Sequence, residues 1–354
     1  MSCGVREHGK GEAGVFPAGR MTERKQRARK IPAAVLSWCC GLLVLLVVAQ
    51  QPARAQSCNF TVDNIDFGDV DLASGQSYTV TATLNVTCWG TANRWVIFCP
   101  NINAGSGGVG AGGDPRYMTQ GTTRLNYNLY RPGTSTIWGS YVWPHPPRPP
   151  VFGIYLRGSA WFGFASGSTT IEARIQAGQT NLPAGDYYST FGSSETYFEY
   201  DYYDSGVWCG NMPSPSVAHP YFQVHARNVS ACSVSATDLD FGTVGVLNAP
   251  VDTTNTISVQ CTAGTNYQIG LSGGNAGTTD PTQRKMSNNG REITYGIYSD
   301  AARTQGWGDT LDVNTVSGTG NGSTQNYTGY GRVPAQPTPP AGTYTDTIIV
   351  TLTY

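Results

Sequence analysis

The stretch Tyr78-Thr79-Val80-Thr81-Ala82-Thr83-Leu84-Asn85-Val86-Thr87-Cys88 decides the fold class. Apolar side chains fill every second position, and Thr or Asn fills the positions between. A period of two puts alternate side chains on opposite faces of a strand, one buried and one wet. Ile257, Val259 and Cys261 repeat the pattern, and so do Ile348, Val350, Leu352 and Tyr354. Thr, Val, Ile and Tyr favour strands, and clusters of Gly, Asn, Asp and Ser supply turns. No segment after residue 55 carries a convincing 3.6-residue apolar period.

Composition agrees. Of 354 residues only 13% are charged, while 44 are Gly and 21 Pro. Coiled coils, helical bundles and acidic disordered tails need many more charged positions. The formal charge of −1 hides an asymmetry: residues 1–55 hold 9 of the 22 Lys+Arg and 3 of the 23 Asp+Glu. That leaves 13 basic against 20 acidic side chains beyond residue 55, a net charge of −7, with Lys285 the sole lysine. Such a chain lacks the basic stripe that binds nucleic acid.

Arg24, Lys25, Arg27, Arg29 and Lys30, the apolar run from Ala33 to Ala49, and Ala53-Arg54-Ala55 form the three parts of a secretory signal peptide. We expect residues 1–55 to be removed and Gln56 to begin the mature chain. Six cysteines then remain: Cys58, Cys88, Cys99, Cys209, Cys232 and Cys261. An even number in an oxidising compartment predicts disulfides. The histidines show no metal-ligand spacing, and no cofactor is expected.

The mature sequence repeats itself. Cys58 precedes Ile65-Asp66-Phe67-Gly68 at the spacing by which Cys232 precedes Leu239-Asp240-Phe241-Gly242. Cys88 follows Cys58 by 30 positions, and Cys261 follows Cys232 by 29. Leu125–Tyr130 echoes Ile293–Tyr298, Trp138-Gly139 echoes Trp307-Gly308, and Pro183-Ala184-Gly185-Asp186-Tyr187 echoes Pro340-Ala341-Gly342-Thr343-Tyr344. Five landmarks in one order read as a duplication, 56–228 and 229–354. The expected fold is all-β: two immunoglobulin-like antiparallel β-sandwiches. The simplest pairing is Cys58–Cys88 and Cys232–Cys261, each loop contributing roughly 3–4 kcal/mol by chain entropy. Cys99–Cys209 is left to close an insertion.

Some strings match catalytic motifs without their context. Gly105-Ser106-Gly107-Gly108-Val109-Gly110 fits a dinucleotide fingerprint, but Ala111-Gly112-Gly113-Asp114-Pro115 cannot open the required helix. The two Asp-Phe-Gly strings lack a kinase's other parts and read as tight turns packed by Phe. Glu195, Glu199, Asp201 and Asp204 share one aromatic stretch, yet nothing else suggests a glycosidase pair. We expect no enzyme.

Taken together, Cys, then Ile/Leu-Asp-Phe-Gly, a second Cys about 30 residues on, Pro-Ala-Gly-x-Tyr and a closing Thr-Ile-x-Val-Thr-Leu-x-Tyr strand resemble the spore coat protein U domain. That family includes subunits of archaic, Csu-type chaperone–usher pili. The resemblance is closest from Cys232 to Tyr354 and implies a pilin sandwich lacking its last strand. A groove and an unpaired edge at Ile348, Val350, Leu352 and Tyr354 would then accept a strand from a periplasmic pilus chaperone, and later from the next pilin subunit at the outer-membrane usher. Four buried donor side chains contribute roughly 6–12 kcal/mol, comparable to the stability of a whole domain.

With cleavage after Ala55, only Gln56 and Ser57 precede Cys58, so the subunit is expected to accept a strand without giving one, as a tip adhesin does. In the first copy, Tyr221–Ala226 can be its own closing strand. The insertion supplies Trp143, Phe152, Trp161, Phe162, Phe164, Tyr200, Tyr202 and Tyr203 as candidate contacts with an abiotic or host surface during attachment and biofilm growth. A satellite core is the competing reading of these aromatics. A spore-coat or matrix structural protein, and a lectin-like module, are the alternative functions.

Overall fold

The structure, a computed structural model, describes residues 56–143, 148–159, 161–204 and 206–354. The expected signal peptide, and residues 144–147 of the proline-rich stretch, lie outside the described residues. The first half of the described chain forms β1 (Ser57–Val62), β2 (Ile65–Val70), β3 (Tyr78–Gly90), β4 (Arg94–Ile102), β5 (Arg116–Gln120), β6 (Thr123–Tyr130), β7 (Phe152–Ser159), β8 (Phe162–Ile175), β9 (Gly185–Phe191), β10 (Thr196–Tyr202), β11 (Ser216–Ala218) and β12 (Phe222–Asn228). The second half forms β13 (Cys232–Ala236), β14 (Val251–Cys261), β15 (Asn266–Leu271), β16 (Arg284–Asn288), β17 (Arg291–Tyr298), β18 (Val316–Thr319), β19 (Gln325–Val333) and β20 (Val350–Thr353).

These strands build two sandwiches, each with its own core. In the first, β1-β3-β8-β6-β5-β9-β12-β2 run side by side, and β11-β10-β4-β7 form the facing layer. In the second, β13-β14-β19-β17-β16 face β18-β15-β20. Neighbour by neighbour, β13, β14, β19, β17 and β16 repeat β1, β3, β8, β6 and β5, while β18, β15 and β20 repeat β7, β4 and β10. Pairing is antiparallel throughout with one departure from expectation: β12 runs parallel to β2. The alternation of β3 is realised, with Ala82, Leu84, Val86 and Cys88 buried and Thr81 and Asn85 exposed.

The disulfides Cys58–Cys88, Cys99–Cys209 and Cys232–Cys261 join as expected. In the first and third, the two cysteines lie directly opposite each other on paired strands, Cα atoms 4.1 Å apart. The glycine-rich run 105–113 contains a turn closed by the Gly108 amide on the Gly105 carbonyl and a three-residue turn, Ala111–Gly113, with Gly112 at φ 77°, so no helix points at a phosphate there.

Each core is tied by the same polar device. Buried Arg116 donates to the carbonyl oxygens of Asn103 (2.8 Å), Ile102 (3.0 Å) and Trp138 (2.8 Å) and to Asn128 Oδ1 (2.5 Å). Arg284 donates to the carbonyl oxygens of Ser272 (2.9 Å), Pro281 (2.7 Å), Leu271 (2.9 Å) and Trp307 (2.8 Å). Burial pulls the Arg116 guanidinium down to about 10, so it still carries its charge at neutral pH. Trp138 and Trp307 complete the match, their Nε1 atoms donating to Pro100 and Ile269 carbonyls, both at 2.9 Å. Arg116→Met leaves buried acceptors unmet, and we expect it to cost the first sandwich about 3–5 kcal/mol. Urea unfolding followed by tryptophan fluorescence checks this as a lowered midpoint.

Candidate functional site

The internal repeat shows what the second sandwich lacks. In the first, β12 lies between β9 and β2, antiparallel to one and parallel to the other. Phe222, Val224, Ala226 and Asn228 of β12 point inward and are buried. Beneath and beside them, Phe67, Val70, Met118, Leu125, Tyr187 and Phe191 are buried too. The counterparts in the second sandwich are Phe241, Val244, Met286, Ile293, Tyr344 and Ile348. Phe241, Met286, Ile293, Tyr344 and Ile348 are only half-buried. Val70 is 0% exposed whereas Val244 is 39% exposed.

Backbone follows side chain. Ile65–Val70 is a strand because β12 pairs with it, whereas the matching Leu239–Val244 has no strand pairing. Thr345 makes one bridge to Ser287 of β16, repeating the Thr119–Tyr188 contact between β5 and β9, but the residues around it form no strand. Among the described residues, no strand occupies the position of β12 here. In its place is a cleft of about 710 Å³, lined by Leu239, Asp240, Phe241, Val244, Met286, Ile293 and Tyr344 among others. One wall is 239–245, and another is 338–344, the segment that precedes Ile348.

A second feature lies on the outer face of the first sandwich. Trp89 on β3 sits opposite Phe164 on β8, which sits opposite Arg157 on β7. Trp95 on β4 sits opposite Tyr155 on β7, with ring centroids 5.4 Å apart. Strand pleat puts Tyr155 and Arg157 on one face, and Phe162 and Phe164 likewise. Trp161 is 67% exposed and Trp95 51%, with Phe162, Phe164 and Trp89 exposed beside them. These aromatic side chains form a band on one face of the sheet, with Arg157 among them.

The Spore Coat Protein U domain profile matches this sequence twice, over residues 44–193 and 219–351. The chain belongs to the Spore Coat Protein U domain family. Among solved structures it is similar to the CsuC–CsuE chaperone–tip adhesion subunit pre-assembly complex of the archaic Csu pili of Acinetobacter baumannii, at 17% identity and a TM-score of 0.50. That match covers 84% of this chain and 100% of the other. The CupB6 tip adhesin of Pseudomonas aeruginosa matches at 14% identity, with a TM-score of 0.35, over 84% of this chain and 94% of the other. No curated protein matches by sequence.

Within this spore coat U architecture the sequence-predicted residues divide. Trp161, Phe162, Phe164 and Tyr203 are exposed. Tyr200 is not a contact residue: it is 6% exposed, because alternation along β10 turns it inward onto Phe60. Phe152 stacks on Phe98, centroids 5.2 Å apart, and also belongs to the core. Tyr202 packs against that core, its hydroxyl accepting from the Thr91 amide at 2.7 Å, with the Arg94 guanidinium over its ring. Trp143 is half-buried, edge-on to Tyr197. Of the expected acceptor residues, Ile348 is half-buried on the segment without strand pairing, but Val350 and Leu352 lie on β20, paired with Leu271 and Ile269 of β15 in the facing layer and so not on the unfilled edge, and Tyr354 is exposed. Trp89, Trp95 and Tyr155 were missed, although continuing the β3 alternation past Thr87 puts Trp89 on the wet face.

The carboxylates of the aromatic stretch hold structure together. Glu195 accepts from the Gly105 amide, Glu199 from Asn101, Asp201 from Gln56, and Asp204 pairs with Arg94. Among the described residues no group of three or more His, Cys, Asp or Glu side chains is placed to hold a metal ion, and no helix is long and apolar enough to cross a membrane.

One titratable cluster marks the seam of β12. His225 Nδ1 lies 2.9 Å from Asp66 Oδ1 on β2, and Nε2 lies 2.9 Å from Asp186 Oδ1 on β9. Desolvation pulls the imidazole pKa down, but hydrogen bonds and charges from Asp186 and Asp66 outweigh it, and the net shift is upward. Asp66 is held low, first by the Gly68 amide and also, against desolvation, by His225. A raised histidine pKa adds stability that is fully present below about pH 6.5, the ordinary histidine value. That contribution is lost as pH rises through the folded value. We therefore expect the melting temperature of the first sandwich to fall between about pH 6 and pH 8, and His225→Gln to flatten that dependence. Calorimetry of both proteins across the range checks it.

Proposed function

We propose that this protein is the tip adhesin of a chaperone–usher pilus. Its second sandwich, residues 229–354, is the strand-accepting anchor, and its first, residues 56–228, is the part that meets a surface. Residues 1–55 serve as the signal peptide for export through the periplasm. The observation that carries the reading is the cleft in the second sandwich at the place the first fills with β12. Half-buried core side chains and two flanking segments without strand pairing make an acceptor for an incoming strand. The partners are a periplasmic chaperone, then the neighbouring pilin subunit at the usher. Family membership and the chaperone-bound state of the similar Acinetobacter subunit support this assignment.

The self-closed first sandwich needs no donor and is free to face outward. Its band of Trp89, Trp95, Phe162 and Phe164, with Trp161 at the hairpin end, is an apolar patch of the kind that marks a contact site. Rigid aromatics on a sheet lose little entropy on binding. Removing three exposed aromatic rings forfeits enough apolar burial to weaken attachment tenfold or more. The triple variant Trp161→Ser, Phe162→Ser, Phe164→Ser is expected to lower attachment of piliated cells to polystyrene by about that factor, with piliation unchanged. Undiminished attachment contradicts the contact role. Independently, the full chain is expected to co-purify with its chaperone, and Phe241→Asp with Ile348→Asp to abolish that association. A chain that does not associate with the chaperone, or an association that survives both substitutions, contradicts the acceptor role.

A further inference from the structure

The strand that closes the first sandwich is held by charge as well as by apolar contact, and one half of that charge pairing recurs on the empty cleft. Three carboxylates meet β12: Asp66 and Asp186 at His225, and Asp69 within 4.0 Å of Arg227. Asp69 and Asp186 become Thr243 and Thr343 in the second sandwich, while Asp66 remains as Asp240. Asp240 is exposed and lines the cleft.

The local backbone holds the two carboxylates alike. Asp66 Oδ1 accepts from the Gly68 amide at 2.9 Å, and Asp240 Oδ1 accepts from the Gly242 amide at 2.8 Å. Both glycines adopt the left-handed conformation, at φ 66° and 68°. A side chain there would be strained, so the turn that aims each aspartate is fixed by sequence. Asp66 has its basic partner on the inserted strand. Asp240 has the same aim, and its partner's position lies in the cleft.

Resting on the strand-acceptor reading above, we infer that the polypeptide filling this cleft carries a basic side chain facing Asp240. The register of β12 gives the rest of its pattern. Apolar residues stand at the places of Phe222, Val224 and Ala226, facing Ile348, Leu239 with Asp346, and Tyr344. The basic residue stands at the place of His225, one position before the third apolar residue. The strand runs parallel to 239–244 and antiparallel to the segment through Ile348. Asp240 thus selects among strands that share the same apolar alternation.

The probe is a fluorescent peptide of residues 219–229, His-Pro-Tyr-Phe-Gln-Val-His-Ala-Arg-Asn-Val. It is compared with versions bearing Lys or Glu in place of His225. Each is titrated by anisotropy at pH 6 into the full chain and into its Asp240→Asn variant. Asn keeps the Oδ1 acceptor for Gly242, so the turn is preserved. Exposed ion pairs are worth a few-fold in affinity, and charge reversal adds to that. We expect the His and Lys peptides to bind about fivefold more tightly than the Glu peptide, with that preference lost in Asp240→Asn. Equal binding of all three, or a preference that survives Asp240→Asn, overturns the inference. If equal binding is abolished by Phe241→Asp, the acceptor cleft stands and only the charge rule falls. If no peptide binds at all, the acceptor reading falls and takes the inference with it.

Discussion

A strand at the margin of a sheet carries backbone donors and acceptors that need partners, and in this chain β12 supplies them to two neighbours at once. It pairs with β9 along one side and with β2 along the other. It also caps the core with Phe222, Val224 and Ala226. β2 has no other strand neighbour among the described residues. Where β12 is present, the sequence Ile-Asp-Phe-Gly-Asp-Val is a strand; where its counterpart is absent, Leu-Asp-Phe-Gly-Thr-Val is not. The difference between a closed and an open sandwich therefore depends less on these segments than on what lies between them.

The rest of each sandwich tolerates that difference because its bonds lie elsewhere. The disulfide joins the first two strands, on the far side of the sheet from the cleft. The buried Arg284 and Trp307 tie together the carbonyls of the opposite layer. A sandwich so fastened can keep its shape while one slot stays empty, and it can take up a strand without rebuilding its core. Three inward apolar side chains, contributing roughly 4–7 kcal/mol, are enough to make that uptake a large share of a domain's stability.

Much of this was legible in the sequence. Period-two runs gave the strands, and recurring landmarks gave the repeat and the disulfide framework. Tyr221–Ala226 was identifiable as a closing strand from its alternation and its place after the Pro-Ala-Gly-Asp-Tyr landmark. The aromatic contacts were less legible, because composition cannot tell which face of a strand is wet. Tyr200 and Phe152 fall inward by one step of the pleat and join the core, whereas Phe162 and Phe164 fall outward. Of the acceptor cleft only the side near Ile348 was legible, since Val350 and Leu352 belong to β20 and pair with β15. Its other wall, around Phe241 and Val244, emerges when the two copies are compared residue by residue, since hydrophobic sequence alone does not reveal whether its covering strand is present. The parallel pairing of β12 with β2 also depends on topology that local pattern does not carry.

Amide hydrogen exchange on the full chain, resolved by peptide and compared between the two copies, tests the central claim most directly. The account predicts slow exchange at 65–70 and 185–191, fast exchange at 239–244 and 342–349, and slowing of the latter pair when a complementary strand is bound. Equal protection of the two copies in the chain without a partner would contradict it.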